Sequence, residues 1–439
     1  MVDKVKYTTM LNNELRGLFS EETQSQIGMI VTFLGGLERE LGNKNQLIVS
    51  QIHGCFNFKA SNTVEDLICS LKSFLQKNEQ LVWVEDNFRY LDQLTDQEVF
   101  QRVRDLCCRV SWKDTPLETF KYYLEDSRLS STAGVTAQSL CELACELLSR
   151  TSFKTIYDPT IGTGTLINEV VKGHEAVEVF GQEMSQESLN YCRMLFVLSG
   201  RNQDLSNLKQ GNVLMDPKHI AGHEMQTFDC VVCDPPIGLR EWSHEGINED
   251  PRFHRGVPPH RIGDFAFVTQ AVESLNAQGK ALMILPPGVL FRAGREGEIR
   301  KQLIEENVIE TIIALPRNML TSAIIPVNIV IFNKGKKTED IQFIDASSFA
   351  KRRRYLNILT RESIHEIATI YHNREEREML SRLVPLSEVR ENQYNLLIER
   401  YLTPPLVVET YSRDELKQEQ QELQKQLLNI QSQLEEILG

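Results

Sequence analysis

Two widely separated stretches contain the residue types that can do chemistry. Thr155–Leu166 reads TIYDPTIGTGTL and Phe228–Ile237 reads FDCVVCDPPI. Each is an apolar run, which predicts a strand, followed by a loop that begins with Asp-Pro. The first loop is rich in glycine, so its backbone can approach a ligand where a side chain would block it. The second loop presents the carboxylate of Asp234 and two stiff prolines.

The glycine loop predicts a cofactor site when it is taken with two later elements. Glu183 ends the next predicted strand, where an acid accepts ribose hydroxyls in nucleotide folds, although alone it could be a surface acid. A third element, Gln210–Asp216, offers Asn212 to an adenine ring. Because GxGxxG is absent and an Asp-Pro-Pro loop follows, the spacing favours S-adenosyl-L-methionine over a dinucleotide. The residues predicted from this pattern to bind it are Asp158, Pro159, Gly162, Thr163, Gly164, Thr165, Glu183, Asn212 and Asp234.

The Asp-Pro-Pro-Ile loop has the groups that methyl transfer to an aromatic amine requires. The lone pair of such an amine is delocalised into the ring, and hydrogen bonds from the amine to two acceptors localise it. The carboxylate of Asp234 and the carbonyl of Pro235 can be these acceptors. The rate acceleration then comes from holding the amine nitrogen in line with the methyl group. Proline also removes competing N–H donors. The predicted catalytic residues are Asp234, Pro235, Pro236 and Ile237.

Length and composition bound the architecture. A chain of 439 residues is too long to form one small core, so two or three domains are expected. Contents of 41% hydrophobic and 25% charged residues are typical of a soluble globular protein. We expect a helical domain over 1–125, an α/β domain over 126–400 and a helix for partner contact over 401–439. There is no apolar N-terminal run and no run long enough to span a membrane, which favours the cytoplasm. The nine cysteines form no disulfide or metal-site pattern, so we expect no metal.

The order of predicted elements indicates a doubly wound, Rossmann-like α/β sheet. Ser20 caps a predicted helix that ends at Gly42-Asn43. Helical segments separate most of the later apolar runs, so ligands should bind at the carboxyl ends of the strands. The last two runs are too close for a helical crossover, which predicts an antiparallel closing strand. The predicted strands are Thr155–Tyr157, Val177–Gly181, Cys230–Cys233, Ala281–Leu285, Thr311–Leu315 and Asn328–Phe332.

The C-terminal tail has a short heptad pattern on a background rich in Gln, Glu and Lys. Such a seam requires a partner helix, which can belong to this chain or to another one. The residues of the seam are Leu416, Gln420, Leu423, Leu427, Ile430, Leu434 and Ile437.

Several longer motifs accompany the two loops. They are Arg252-Phe253 with Gly256, Asp264–Phe267 (DFAF), Leu285–Arg292 (LPPGVLFR), Gly294–Arg300 (GREGEIR), Leu315–Leu320 (LPRNML), Ile325-Pro326 and Asn392–Tyr401 (NQYNLLIERY). With these motifs, residues 150–401 resemble the adenine-specific DNA methylation (M) subunit of type I restriction–modification systems. The resemblance implies double-stranded DNA as substrate, a specificity subunit as partner and, in many cases, a second M subunit. A net charge of −13 is compatible with a chain that relies on a partner subunit for sequence-specific DNA recognition.

Three elements depart from that family's pattern. The catalytic loop there is usually Asn-Pro-Pro followed by Phe or Tyr, whereas Asp234 and Ile237 stand here. Ile237 removes a ring that would stack on a flipped adenine, a contact worth about 1–3 kcal/mol. The family's aromatic-Thr-Pro element, which helps hold the methionine end of the cofactor, retains only Thr136. At position 212 this chain has Asn where the family commonly has Asp.

The DNA-facing residues are expected in Pro251–Arg261, a basic loop free of acids. The residues predicted to contact DNA are Arg252, Phe253, Arg255 and Arg261, although a structural loop would look the same. The charge run Lys351–Arg354 could also face DNA, but the helix pattern that follows it favours a solvated helix start at least equally. Trp242 is interpreted as a buried side chain or a base-stacking one.

The sequence thus predicts a site-specific, adenine-specific DNA methyltransferase subunit. The rival hypothesis is a catalytically silent scaffold or DNA-binding subunit, motivated by Val135, Ala137 and Ile237. A third possibility, methylation of a protein glutamine or an RNA base, uses the same loop chemistry.

Overall fold

A computed structural model describes most of the chain, and it divides into two units, Met1–Leu402 and Thr403–Gly439. The described residues are 4–45, 48, 52–109, 116–126, 134–222, 224–242, 246–320, 325–353, 356–402, 417–418, 420–427 and 430–431. Helices from both sides of residue 125 belong to the first unit. The division of this unit into two domains therefore stays a prediction.

A nine-stranded mixed sheet organises the first unit, in the order β13-β10-β8-β9-β7-β6-β1-β2-β3. Strand β9 is antiparallel to both β7 and β8, and β13 is antiparallel to β10, while the remaining neighbours are parallel. The strands are β1 Thr155–Asp158, β2 Glu178–Glu183, β3 Leu208–Gln210, β6 Phe228–Cys233, β7 Leu275–Leu285, β8 Ile309–Ala314, β9 Asn328–Asn333, β10 Asp340–Asp345 and β13 Ser381–Pro385. Two small ribbons pair β4 Ile220–Ala221 with β5 Glu224–Met225, and β11 Ala350–Arg353 with β12 Leu356–Leu359.

Helices cover both faces of the sheet. The N-terminal ones are α1 Lys4–Leu15, α2 Glu21–Gly42, α3 Val64–Leu75, α4 Phe88–Leu91, α5 Gln97–Arg109 and α6 Pro116–Asp126. Those within the α/β part are α7 Gln138–Leu148, α8 Thr165–Val170, α9 Gln186–Leu198, α10 Asp264–Glu273, α11 Gly288–Phe291, α12 Arg295–Glu305, α13 Arg361–Asn373, α14 Leu386–Glu391 and α15 Glu399–Leu402. No described helix has the length and apolarity that crossing a membrane requires.

Two apolar cores lie on opposite faces of the sheet. One core joins the N-terminal helices with α7, α8, α9 and α13, and the other contains α10, α12 and α14. Alternate residues of a strand point to opposite faces, and accordingly Cys230 packs in the first core and Cys233 in the second. The two thiols are therefore separate core residues, as the sequence indicates.

The structure confirms the predicted fold class. All six predicted apolar runs lie on strands, and the last of them, β9, is the predicted antiparallel strand. The hydroxyl of Ser20 accepts a hydrogen bond from Thr23 N, so it caps α2, which ends at Gly42 as predicted. The helix start predicted at Lys351–Arg354 is wrong, because Ala350–Arg353 pairs with β12 as a strand.

The heptad seam lies only partly within the described residues. Gln420, Leu423, Leu427 and Ile430 are helical, and the three apolar ones are exposed. Leu416, Leu434 and Ile437 lie outside the described residues. The partner that covers this seam stays a prediction.

A buried ion pair ties the N-terminal helices to the helix that follows the glycine loop. Lys121 Nζ of α6 lies 2.9 Å from Glu169 Oε2 of α8, and both side chains are about nine-tenths buried. Burial alone would raise the pKa of Glu169, but the charges and hydrogen bonds of Lys121 and, to a lesser extent, Lys172 together outweigh it, so this pKa lies below its ordinary value. Lys172 approaches the same carboxylate at 3.3 Å, but its own side chain is 65% exposed.

Lys121→Met should lower the free energy of unfolding by about 3 kcal/mol, because it leaves the Glu169 carboxylate buried beside only a solvated cation. Lys172→Met is the matched control and should cost less than about 1 kcal/mol, since exposed pairs contribute little. Urea denaturation of both variants measures the difference. Equal losses would show that the buried pair does not hold these helices together.

Candidate active site

A cleft of about 610 Å³ opens at the carboxyl edge of the sheet. It lies where β1, β2, β3 and β6 end side by side, because these strands are parallel neighbours. Open α/β sheets bind ligands at this edge. The predicted site residues that line the cleft are Thr136, Asp158, Pro159, Gly162, Glu183, Asn212, Asp234, Pro235, Pro236 and Ile237.

The glycine loop after β1 is held against the end of β2. Ile161 N donates to Gln182 O at 3.0 Å, and Gly162 N donates to Glu183 Oε2 at 3.0 Å. Gly162 and Gly164 both have a positive φ, at 53° and 77°, which favours glycine. A side chain on Gly164 would also lie 2.6 Å from Cys192 Sγ of α9. The two glycines therefore permit both the turn and its close packing on α9.

Glu183 and Asn212 end the next two strands with hydrogen-bonding groups that face the cleft. Glu183 Oε1 accepts from Ser185 N at 2.8 Å, so backbone donors fix both of its oxygens, and each oxygen retains a further lone pair. Asn212 Oδ1 accepts from Leu214 N at 3.0 Å. Its Nδ2 group has no hydrogen-bond partner among the described residues and can donate to a ligand.

Asp234 is oriented by the segment that precedes α7. Thr136 Oγ1 donates to Asp234 Oδ2 at 2.8 Å, and Thr136 itself is 5% exposed. The Oδ1 atom of Asp234 has no partner among the described residues, so it is open to a donor in the cleft. Thr136 was predicted as a cofactor residue. The structure brings it to the cleft and gives it a contact with the predicted catalytic carboxyl.

Three carboxyl groups make the cleft suited to a cation. Burial raises the pKa of Asp158 above its ordinary value, and the charges of Asp234 and Glu183 add to that rise. Burial also raises the pKa of Glu183 and takes that of Asp234 to about 6, against the opposing hydrogen bond from Thr136. None of the three forms an ion pair with a described lysine, arginine or histidine. A positively charged ligand would relieve this unfavourable concentration of like charge.

A second carboxyl, Asp264, holds the far side of the Asp-Pro-Pro-Ile loop. Gly238 N donates to Asp264 Oδ1 at 2.8 Å, and Arg292 pairs with the other oxygen of Asp264 and with Glu296. Asp264 and Glu296 are both 2% exposed. Ile237 is half-buried and packs against the first core. The loop is therefore fixed at both ends, by Thr136 on one side and Asp264 on the other.

The comparisons with known proteins agree with this geometry. The model of the N-6 DNA Methylase family matches residues 121–409, which is more than half of the chain. The chain belongs to this family.

Curated relatives in the family include methylase subunits of type I restriction enzymes. The chain is 31% identical to the MjaVII subunit of Methanocaldococcus jannaschii over 69% of its own length and 54% of that protein. It is 27% identical to the MpnII subunit of Mycoplasma pneumoniae over 70% of its own length and 61% of that protein. The chain thus matches less than two thirds of the length of either relative.

Solved structures show the same fold. The methyltransferase subunit of a type I restriction–modification system from Streptococcus thermophilus superposes with a TM-score of 0.77, at 24% identity over 91% of this chain and 99% of that one. A structure determined to explain complex assembly and conformational transition of a type I system gives a TM-score of 0.64, at 17% identity over 98% and 96%.

Some residues that the sequence assigned to the site do not reach the cleft. Thr163 is fully buried, and its Oγ1 atom has no hydrogen-bond partner among the described residues. Thr165 is 7% exposed and begins α8. Neither they nor Gly164 line the cleft, so the prediction that the two hydroxyls hold cofactor needs correcting. Their place is inside the packing that supports the loop.

The basic loop after β6 also needs correcting. Arg252, Phe253 and Arg255 are all more than 90% buried. Arg252 pairs with Asp250 and donates to Val213 O at 2.8 Å, and Arg255 pairs with Glu273 and Glu306. These guanidinium groups are committed to internal partners, and as placed they cannot contact DNA phosphate. Arg261 is exposed and stays a predicted contact.

Sequence reasoning missed several residues of the cleft. Ser185 and the exposed Met184 follow Glu183 directly, and Met215 and Leu320 complete the apolar lining. The position of Met184, immediately after the strand-terminal acid, was a usable signal. Leu320 follows β8, which is not a neighbour of β6 in the sheet, so nothing in its local pattern placed it here. Trp242 is 2% exposed and donates to Pro259 O, which confirms the buried interpretation.

Gly164→Ala should lower the free energy of unfolding by about 1–3 kcal/mol, because the new methyl group meets Cys192 and the residue must keep a positive φ. Gly42→Ala is the matched control, since a side chain there meets nothing within 4 Å. Guanidinium denaturation measures both changes. A Gly164 variant as stable as the control would contradict the packing described for the loop.

Proposed function

We propose that the chain is the modification subunit of a type I restriction–modification-like system, which transfers a methyl group from S-adenosyl-L-methionine to N6 of a flipped DNA adenine. The observation that carries the proposal is the convergence of Asp158, Glu183 and Asp234 on one cleft beside a proline-stiffened loop. Membership of the N-6 DNA Methylase family supports it.

The residues present fit this cofactor. A volume of about 610 Å³ lies in the range of small-molecule sites. Glu183 can accept from ribose hydroxyls, Asn212 can donate to the adenine ring, and Met184 offers an apolar surface beside it. The acidic surroundings of Asp158 and Asp234 suit a sulfonium and an ammonium group. When bound, the cofactor supplies the activated methyl group.

The catalytic loop would hold the amine of the target base. Asp234 Oδ1 and the carbonyl of Pro235 accept its two hydrogens, which localises the nitrogen lone pair. Thr136 and Asp264 fix the loop from either side, so no reorganisation accompanies the transfer. Ile237 gives the base an apolar contact in place of a stacked ring.

Partners follow from the same proposal. The substrate is double-stranded DNA, and sequence recognition would come from a specificity subunit, with a second M-type subunit completing the complex. The relatives are named as subunits of type I restriction enzymes, which supports an assembly of this kind. The exposed apolar residues Leu423, Leu427 and Ile430 of the tail are the contact we assign to such a partner.

Calorimetric titration with S-adenosyl-L-methionine tests the site. We expect micromolar binding to the full chain and none to Gly162→Asp, which places a carboxylate in the acidic cleft at a positive φ. Glu183→Gln should weaken binding by about ten- to a hundredfold, because it loses a charged acceptor. Glu178→Gln, an exposed acid on the same strand, is the control and should bind normally.

No binding of millimolar cofactor to a folded sample would overturn the enzymatic proposal. It would favour the rival function, a methyltransferase-like scaffold that binds DNA or a partner without methylating.

The pKa of Asp234, raised to about 6 by burial, predicts an acid limb in the methylation rate. Below pH 6 the carboxyl is protonated in the folded protein and loses acceptor capacity, so the rate should fall about tenfold per pH unit. Asp234→Asn should remove this limb, because the amide does not titrate and the hydroxyl of Thr136 can accept from it as well as donate. A limb that persists in the variant would assign it to another group.

Thr136→Val should move the acid limb to higher pH. The hydrogen bond from Thr136 lowers the pKa of Asp234, so its loss raises that pKa further. A purely structural role for Thr136 would change the maximal rate and leave the position of the limb unaltered. The pH–rate profile of the two proteins distinguishes these cases.

A further inference from the structure

The small ribbon of β11 and β12 is attached to the rim of the cleft. Backbone N and Nδ2 of Asn357 in β12 donate to Asn318 O and Arg317 O, at 2.8 and 2.7 Å. Arg317 and Asn318 belong to the loop after β8, and Leu320 of this loop lines the cleft. Strand β12 also packs beside α7, the helix that follows Thr136. The ribbon is thus joined to the cleft by two elements.

Three cations on this ribbon and its supporting loop have no partner in the part of the chain that the structure describes. Lys351, Arg352 and Arg317 are exposed, and no described residue forms an ion pair or a side-chain hydrogen bond with any of them. The charge of Lys351 contributes to lowering the pKa of Glu362, after that residue's backbone hydrogen bond and one from Thr360, but the two do not form an ion pair. This differs from Arg252 and Arg255, whose charges are neutralised internally.

The basic end of the ribbon reaches solvent through β11. Lys351 and Arg352 are successive residues of this strand, so they point to opposite faces, and both are exposed. The β12 residues that pair with them, Ile358 and Asn357, are half-buried. In a chain with a net charge of −13, unpaired cations beside the cleft indicate a local anionic partner.

We propose that Lys351, Arg352 and Arg317 contact the phosphate backbone of double-stranded DNA next to the cleft. This rests on the proposed function, because a duplex that delivers a base to Asp234 must pass over the rim. Strand β10, which leads into the ribbon, is four places from β6 in the sheet. Neighbouring β-strands lie about 4.8 Å apart, so β10 and β6 are separated by about 19 Å across the sheet. This separation corresponds to about five to six nucleotides along one strand of DNA, at about 3.4 Å per nucleotide. One duplex can therefore reach both places.

The test compares the double variant Lys351→Ala/Arg352→Ala with the charge-matched control Lys72→Ala/Lys77→Ala. The two control lysines are exposed, lie on or beside α3 and form no ion pair with a described residue. Fluorescence anisotropy of a labelled duplex with the full chain gives affinity over a series of salt concentrations. We expect the slope of log affinity against log salt to become shallower by about 2 in the ribbon variant, one for each lost phosphate contact. The control should keep the wild-type slope.

Three outcomes would overturn the proposal: an unchanged slope in the ribbon variant, an equal change in the control, or no binding of DNA by the wild-type chain at low salt. The variant Lys351→Arg/Arg352→Lys keeps both charges and should keep the wild-type slope. It therefore distinguishes an effect of lost charge from an effect of altered folding. Calorimetry with S-adenosyl-L-methionine on the same samples keeps the two proposals apart. An absence of cofactor binding would contradict the proposed function. The salt slope alone tests whether Lys351 and Arg352 contact DNA phosphate.

Discussion

The parallel pairing of β1, β2 and β6 is the constraint on which the site depends. Parallel strands bring their carboxyl ends to one edge, so the residues that follow each strand become neighbours however far apart they are in sequence. Asp158, Glu183 and Asp234 each stand at such an end. Their carboxyl groups share one cleft because of this pairing. Burial raises the pKa of all three, and at Asp158 the charges of Asp234 and Glu183 add to the rise.

Charge is distributed in a way that separates supporting residues from functional ones. Arg252, Arg255 and Arg292 are paired with carboxylates inside the fold, where they hold loops and helices together. Within the described part of the chain, Asp158, Glu183 and Asp234 have no such partners, and neither do Lys351 and Arg352 of the β11–β12 ribbon. Groups without an internal counter-charge are available to a ligand, whereas a paired buried ion is costly to separate. This distinction, together with a position in or beside the cleft, identifies the candidate contacts.

The fold and most of the cleft could be predicted because their signals are local. A strand followed by Asp-Pro and glycine, or by Asp-Pro-Pro, marks a site residue directly after an apolar run, and this located Asp158, Gly162 and Asp234. One failure depends on a tertiary partner, because nothing beside Arg255 in sequence indicates its ion pair with Glu306. The other is local: Lys351 pairs with Ile358 of the adjacent strand β12, but the helix pattern after the charge run was taken to begin at that run. Thr163 shows a further limit, because a hydroxyl within a ligand loop can still point into the core.

The central claim is that this acidic cleft transfers a methyl group to adenine. Its most direct test uses tritiated S-adenosyl-L-methionine with duplex DNA and the full chain, alone and with the product of any neighbouring specificity gene, followed by chromatography of the hydrolysed nucleosides. The account predicts label in N6-methyladenine and none with Asp234→Ala. Label on cytosine or on protein, or none at all from a complex that binds both cofactor and DNA, would contradict it.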